Sequence, residues 1–125
     1  MILQDSFYYI VSASVDGAEG QYTIRMNGEH AIYKAHFPGE PITPGVCILQ
    51  IGLELLSSFT AEKLELKEVK NVKFLNILRP DGNDVSVNVR LMERTEDIVR
   101  SQIVLSTDES PIAKLSFICQ IVRQD

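Results

Sequence analysis

Residues 36–61, HFPGEPITPGVCILQIGLELLSSFTA, decide the fold of this chain. In the first ten of them, prolines fix φ and glycines allow close approach of the backbone, so this loop can hold a side chain in one place. The residues that follow are apolar nearly all round, which predicts one buried helix at about residues 45–61. Thr43 suits the N-cap of this helix and Pro44 its first position. The imidazole of His36 therefore lies just before a buried helix.

The segments on either side of this helix predict strands. Asp16-Gly17 predicts a hairpin between the first two, with a loop longer than the minimal turn. β-branched or aromatic residues, or an alternation of apolar and polar residues, mark six segments, which are 7–15, 20–26, 68–78, 84–91, 97–106 and 112–122. Successive half-buried strands imply an antiparallel sheet with one face on a core. We therefore predict an α+β fold in which such a sheet curls around one buried helix.

Size and charge limit the function. The chain has 125 residues, of which 45% are hydrophobic, and no internal repeat or linker, so we expect a single domain over residues 1–125. The net charge of −5 argues against nonspecific binding of nucleic acid, which depends on clustered lysine and arginine. The densest basic residues are interpreted as solvated charges that balance nearby glutamates, or as a basic patch for an acidic partner: Lys63, Lys67, Lys70, Lys73 and Arg79.

The length and flanking charges of the apolar segments, and the spacing of the cysteines, predict the cellular location. The longest apolar run, near 46–56, contains Gln50 and Glu54 and is too short to span a membrane. The first 15 residues have no basic residue ahead of their apolar run, unlike a signal peptide. Cys47 and Cys119 fit no metal-binding spacing, and their apolar neighbours predict buried thiols in a reducing compartment. We expect a cytoplasmic protein without membrane insertion.

The residues around the helix start suit proton abstraction next to a carbonyl group. His36 titrates near neutrality and can act as a base. The amides of Gly45 and Val46, at the helix N-terminus, would stabilise the oxygen that gains negative charge. Gln50 and Glu54 share one helix face at i and i+4. What this scheme lacks is an acid, because the amide of Gln50 cannot deliver a proton.

Each of these residues also has a purely structural interpretation. His36 could be a turn residue with a satisfied ring, and Gln50 could satisfy buried backbone groups. Glu54 could lie at a dimer edge or pair with a lysine, and His30 is interpreted as an exposed turn residue.

The loop resembles the signature of a known enzyme family. His36-Phe37-Pro38-Gly39, Pro41 and Pro44-Gly45-Val46 match every specified position of H-F-P-G-x-P-x-x-P-G-V, the pattern of the 3-hydroxyacyl-[acyl-carrier-protein] dehydratases of fatty-acid synthesis. Residues 69–74 and Arg79-Pro80 resemble, more loosely, the strand that follows the family's helix.

The resemblance implies a hotdog fold, an antiparallel sheet wrapped around the central helix, that dimerises side by side. It implies tunnel-like acyl sites at the dimer interface, without a metal or an organic cofactor. His36 would remove the α-proton of a 3-hydroxyacyl thioester held on acyl carrier protein or coenzyme A, and the amide of Gly45 would hold the thioester carbonyl. Five of the other matched positions would bind substrate, namely Phe37, Pro38, Gly39, Pro44 and Val46.

The chain departs from the family pattern at one catalytic position. Six residues after Pro44 the family has a carboxylate that assists loss of water, and this chain has Gln50. One turn later the family often has glutamine, and this chain has Glu54, so the two residue types look exchanged. Either Glu54 serves as the proton donor, directly or through a water, or a different hotdog subunit supplies the carboxylate in a hetero-pair.

Three functions fit these observations. The leading one is a dehydratase-like lyase that eliminates water from carrier-bound 3-hydroxyacyl thioesters to give the 2-enoyl thioester, as a homo-oligomer or with a partner subunit. Gln50 favours a second, a non-catalytic acyl-binding subunit. The third is an acyl thioesterase in which Glu54 acts as nucleophile or base.

Overall fold

The computed structural model describes residues 2–35 and 39–123. Within them, the chain forms an antiparallel sheet with the strand order β1-β2-β4-β5-β6-β3. The elements are β1 (Tyr8–Asp16), β2 (Glu19–Met26), α1 (Ala31–Ala35), α2 (Gly45–Thr60), β3 (Leu64–Phe74), β4 (Val85–Arg94), β5 (Ile98–Ser106) and β6 (Pro111–Ile121). The predicted α+β architecture, with one long helix held by an antiparallel sheet, is confirmed.

Helix α2 buries one face against the sheet, while Leu49, Leu53 and Phe59 on its other sides are only partly buried. Ile51 and Leu55 are completely buried, as are Val87 and Val89 on the inner face of β4. Gly52 lets the helix approach the sheet closely. A Cβ atom at this position would lie 2.9 Å from Cδ1 of the buried Leu115, so a larger residue would push the helix away from the sheet.

The start of α2 differs from the predicted one. The N-cap residue is Pro44, not Thr43, and no side chain caps the first turn. Thr43 is unsuited to this role because its hydroxyl pairs with the hydroxyl of Tyr33 at 2.7 Å. The backbone N–H of Thr43 donates to the carbonyl of Leu78 at 2.9 Å, which fixes the loop just before the helix.

Two further predictions about local structure were wrong. Asp16 pairs with Glu19, so the β1–β2 turn contains only two residues, and Gly17 takes a positive φ of 60° there. Strand β3 begins at Leu64 instead of residue 68 and ends at Phe74. The early part of β3 was missed because charged residues alternate with Leu64 and Leu66, and these leucines pack against the core.

The cysteines behave as predicted. Cys47 and Cys119 are free and buried. Burial raises the pKa of Cys119 to about 11, so this side chain remains a thiol at neutral pH.

Across the described part of the chain, no helix combines the length and the apolar character needed to cross a bilayer.

Candidate active site

The motif loop is entered from α1, a short helix that the sequence did not predict. His30 caps this helix, because its Nδ1 accepts a hydrogen bond from the N–H of Ile32 at 3.0 Å. The His30 ring also meets the Phe7 ring edge-on, with centroids 5.2 Å apart. His30 is therefore a half-buried structural residue and not the exposed turn residue that was predicted.

Three predicted site residues, His36, Phe37 and Pro38, lie outside the described residues. The structure describes the residues on either side of them. Tyr33 stacks on Phe7 with ring centroids 4.9 Å apart, and Gly39 takes a φ of 90° that favours glycine. A cavity of about 310 Å³ lies beside this segment, lined by Gly28, Tyr33, Lys34, Gly39 and Pro41.

The N-terminus of α2 presents backbone donors. Pro44 is extended, and the first intrahelical bonds are donated by Cys47 and Ile48 to its carbonyl. The N–H groups of Gly45 and Val46 have no hydrogen-bond partner among the residues described. Val46 is 65% exposed, so this end of the helix lies at the protein surface. A substrate oxygen bound here would gain from both the unpaired N–H groups and the helix dipole.

The ring of Phe74 lies against the same helix end. A Cβ atom at Gly45 would be 2.9 Å from Cζ of Phe74, so a larger residue would displace the ring from this position. Phe74 is 50% exposed at the end of β3. The ring therefore packs beside Gly45 at the start of α2.

Glu54 holds the N-terminal segment on α2. Its Oε2 accepts hydrogen bonds from the N–H of Leu3 and from Nε2 of Gln50, both at 2.8 Å. Its Oε1 accepts from the N–H of Gln4 at 2.8 Å and from the hydroxyl of Tyr8 at 3.1 Å. Leu3 and Tyr8 are buried, so Glu54 anchors a segment that is itself part of the core.

All four partners of Glu54 are donors. A carboxylate oxygen accepts hydrogen bonds, and each oxygen of Glu54 accepts two of them. Burial, followed by the nearby Glu54 charge, raises the pKa of Tyr8, so its hydroxyl keeps the proton that it donates. The same reasoning fixes the amide of Gln50, since only its NH₂ end can face Glu54.

The structure brings Gln50 and Glu54 together as the i, i+4 spacing predicted. The sequence did not reveal the other partners of Glu54, which are main-chain amides near the N-terminus and Tyr8. A usable signal was present, because a carboxylate on an otherwise apolar helix requires donors, and Leu3, Phe7 and Tyr8 mark an apolar segment able to reach the core.

The chain is similar to known dehydratases. The ApeI-like family model, described as ApeI dehydratase, matches residues 12–114. Among curated proteins, the 3-hydroxyacyl-[acyl-carrier-protein] dehydratase FabZ of Fusobacterium nucleatum is 27% identical over 104 residues, which cover 79% of this chain and 72% of that protein. The FabZ of Latilactobacillus sakei is 29% identical over 99 residues, 72% of this chain and 70% of that protein.

Solved structures share the fold. The dehydratase heterocomplex ApeI:P from Xenorhabdus doucetiae matches with a TM-score of 0.72 and 15% identity, covering 89% of this chain and 96% of that chain. A hypothetical thioesterase from Streptococcus pneumoniae, solved with coenzyme A, matches with a TM-score of 0.71 and 7% identity, covering 94% and 87%. At such identities the structures show the hotdog fold alone. The family model, which matches most of the chain, shows more: the chain belongs to the ApeI-like dehydratase family and is a dehydratase-like lyase.

Proposed function

We propose that the protein eliminates water from 3-hydroxyacyl thioesters carried by acyl carrier protein or coenzyme A. The observation that carries this proposal is the N-terminus of α2, where the amides of Gly45 and Val46 have no hydrogen-bond partner within the described chain. The loop that precedes it contains His36 in the family pattern. A base next to an oxyanion site is the pair of groups that α-proton abstraction requires.

The reaction moves two protons, one from the α-carbon to His36 and one onto the leaving hydroxyl group. His36 takes the α-proton, and the electrons of that C–H bond delocalise onto the thioester oxygen. The Gly45 amide and the helix dipole stabilise the resulting enolate charge. The electrons then form the Cα–Cβ double bond, the C3–oxygen bond breaks, and the hydroxyl group leaves as water after gaining a proton. We assign the binding of the acyl group to Phe37, Pro38, Gly39, Pro44 and Val46, which match the family pattern.

The proton for the leaving hydroxyl comes, in this proposal, from a carboxylate of another subunit. Gln50 occupies the family's carboxylate position and has no proton to deliver. Four donated hydrogen bonds hold Glu54, which supports a role in anchoring the N-terminal segment over one in acid catalysis. The dehydratase ApeI:P, a heterocomplex, supports a hetero-pair as the complete enzyme.

Strand β3 supports assembly with another hotdog subunit. It is an outer strand of the sheet, so one of its edges has no neighbour within the described chain. Val69 and Phe74 on β3, and Leu75 and Ile77 after it, are large apolar residues that are 37–56% exposed. Pairing along this edge would cover them and bring a second subunit next to the helix end at Gly45.

The test is elimination by wild-type protein and by His36→Ala, followed by mass spectrometry of a 3-hydroxyacyl group on carrier protein. We expect wild type to remove one water slowly on its own, and His36→Ala to be slower by about 10²–10⁴-fold, the usual contribution of a positioned base. His30→Asn is the matched control, because asparagine can still accept the hydrogen bond from Ile32 at the start of α1. Equal rates for wild type and His36→Ala would overturn the proposal.

A further inference from the structure

The outer face of the sheet carries a polar groove that plays no part in the dehydration site. The groove has a volume of about 260 Å³ and crosses β3, β6 and β5. Val72, Leu115 and Ile103 alternate with its side chains and point into the core, so the groove faces away from α2. The polar side chains that line it are Asn71, Lys73, Gln102, Lys114 and Ser116.

The strand register places two positive charges directly opposite each other. Lys73 pairs with Lys114 across β3 and β6, and both side chains are exposed. Directly opposite residues of an antiparallel pair have Cβ atoms about 4.5–5.5 Å apart, where like charges repel. In the next row of the same face, Ser116 lies between Asn71 on β3 and Gln102 on β5. Two ammonium groups thus lie beside three hydrogen-bonding side chains.

These five side chains have no partner inside residues 2–35 and 39–123. Neither lysine is in a salt bridge, whereas Lys67, on the same strand as Lys73, pairs with Glu65 at 3.2 Å. None of the five makes a side-chain hydrogen bond there, and no carboxylate lines the groove. In a chain of net charge −5, the groove is a local positive site with its donors unused.

We propose that this groove binds a phosphate group. A phosphate dianion between Lys73 and Lys114 would cancel the repulsion between them. The amide groups of Asn71 and Gln102 and the hydroxyl of Ser116 would donate to the remaining phosphate oxygens. The phosphate is either free inorganic phosphate or a phosphate on the nucleotide part of a larger ligand, and the test separates these sources. The proposal does not depend on the dehydratase activity.

The test is an NMR titration of the uniformly ¹⁵N-labelled protein at constant ionic strength, with inorganic phosphate in one arm and adenosine 3′,5′-bisphosphate in the other. We expect saturable shifts of the amide signals of Asn71, Gln102 and Ser116. Lys114→Gln is expected to weaken binding at least about tenfold, as loss of a charged hydrogen bond does. Lys63→Gln, which removes an exposed lysine between α2 and β3, should bind as wild type does.

Saturation in both arms assigns the site to phosphate itself, and saturation with the nucleotide alone assigns it to a nucleotide-borne phosphate. The absence of saturable shifts in both arms, or equal affinity of wild type and Lys114→Gln, would overturn the proposal.

Thermal unfolding gives a second readout. In phosphate-free buffer, Lys114→Gln should unfold at the same temperature as wild type or higher, because one of two facing charges is gone, and phosphate should raise only the wild-type and Lys63→Gln midpoints. A lower midpoint for Lys114→Gln without phosphate would contradict the proposed repulsion.

Discussion

Gln50→Glu is expected to lower stability and to raise the rate of water loss. The Gln50 amide nitrogen lies 2.8 Å from Oε2 of Glu54, so glutamate at position 50 would put two carboxylates in contact. Loss of a hydrogen bond to a charged group and the new repulsion should lower the free energy of unfolding by about 2–4 kcal/mol at pH 8. Urea unfolding of wild type and variant measures this difference.

The loss of unfolding free energy in Gln50→Glu, relative to wild type, should increase with pH. Two facing carboxyl groups share one proton, so the pKa of the pair in the folded variant rises above about 4.3, the ordinary value for glutamate. The proton stabilises the folded variant at low pH, and this contribution is lost as the pH rises through the raised pKa of the pair. The stability difference from wild type is therefore smallest in acid and grows toward pH 8. Gln21→Glu, the same substitution at an exposed site on β2 that lies opposite Ser14 and Asn88, should show no such pH dependence.

The shared proton also supplies the missing acid. Water loss by Gln50→Glu alone, without a partner subunit, should be about 10² times faster than by wild type, or more, as expected for a positioned acid. Adding His36→Ala to this variant should remove the gain, because the base is then absent. An unchanged rate in Gln50→Glu would mean that the lack of a carboxylate at position 50 does not limit the reaction.

Glu54→Gln is expected to destabilise the protein without removing catalysis. Glutamine has one oxygen, which can replace Oε1 as the acceptor for Gln4 and Tyr8. Its NH₂ end must then take the place of Oε2 and face the N–H of Leu3, which loses its acceptor. A buried donor without a partner costs about 1–3 kcal/mol, and urea unfolding should show a loss of this size.

Two comparisons separate anchoring from acid catalysis. Tyr8→Phe removes only one of the four donors to Glu54 and should cost about 1 kcal/mol. At a temperature where Glu54→Gln remains folded, its rate of water loss should stay within about tenfold of wild type. A fall of about 10²–10⁴-fold in the folded variant would instead identify Glu54 as the acid.

The sequence predicted the elements whose signals are local. An apolar run interrupted only by Gln50 and Glu54 predicted α2, which ends at Thr60, and clean alternation predicted β4. The partners of Glu54 were missed because two of them are backbone amides, whose hydrogen bonds leave no mark on residue type. The facing pair of Lys73 and Lys114 depends on the register of two strands distant in the chain, which alternation alone does not set.

Deuterium exchange at the α-carbon tests most directly the claim that this chain has a base and an oxyanion site but no acid of its own. The purified protein would be incubated in heavy water with a 3-hydroxyacyl group on carrier protein. Mass spectrometry would then measure the deuterium content of the recovered substrate and the amount of product. An enolate formed by His36 at the Gly45 amide, with no acid to release the hydroxyl group, takes deuterium from solvent. We therefore predict that deuterium enters unreacted substrate faster than water is lost, and that both changes disappear in His36→Ala. Water loss that leaves unreacted substrate free of deuterium and persists in His36→Ala would contradict this mechanism.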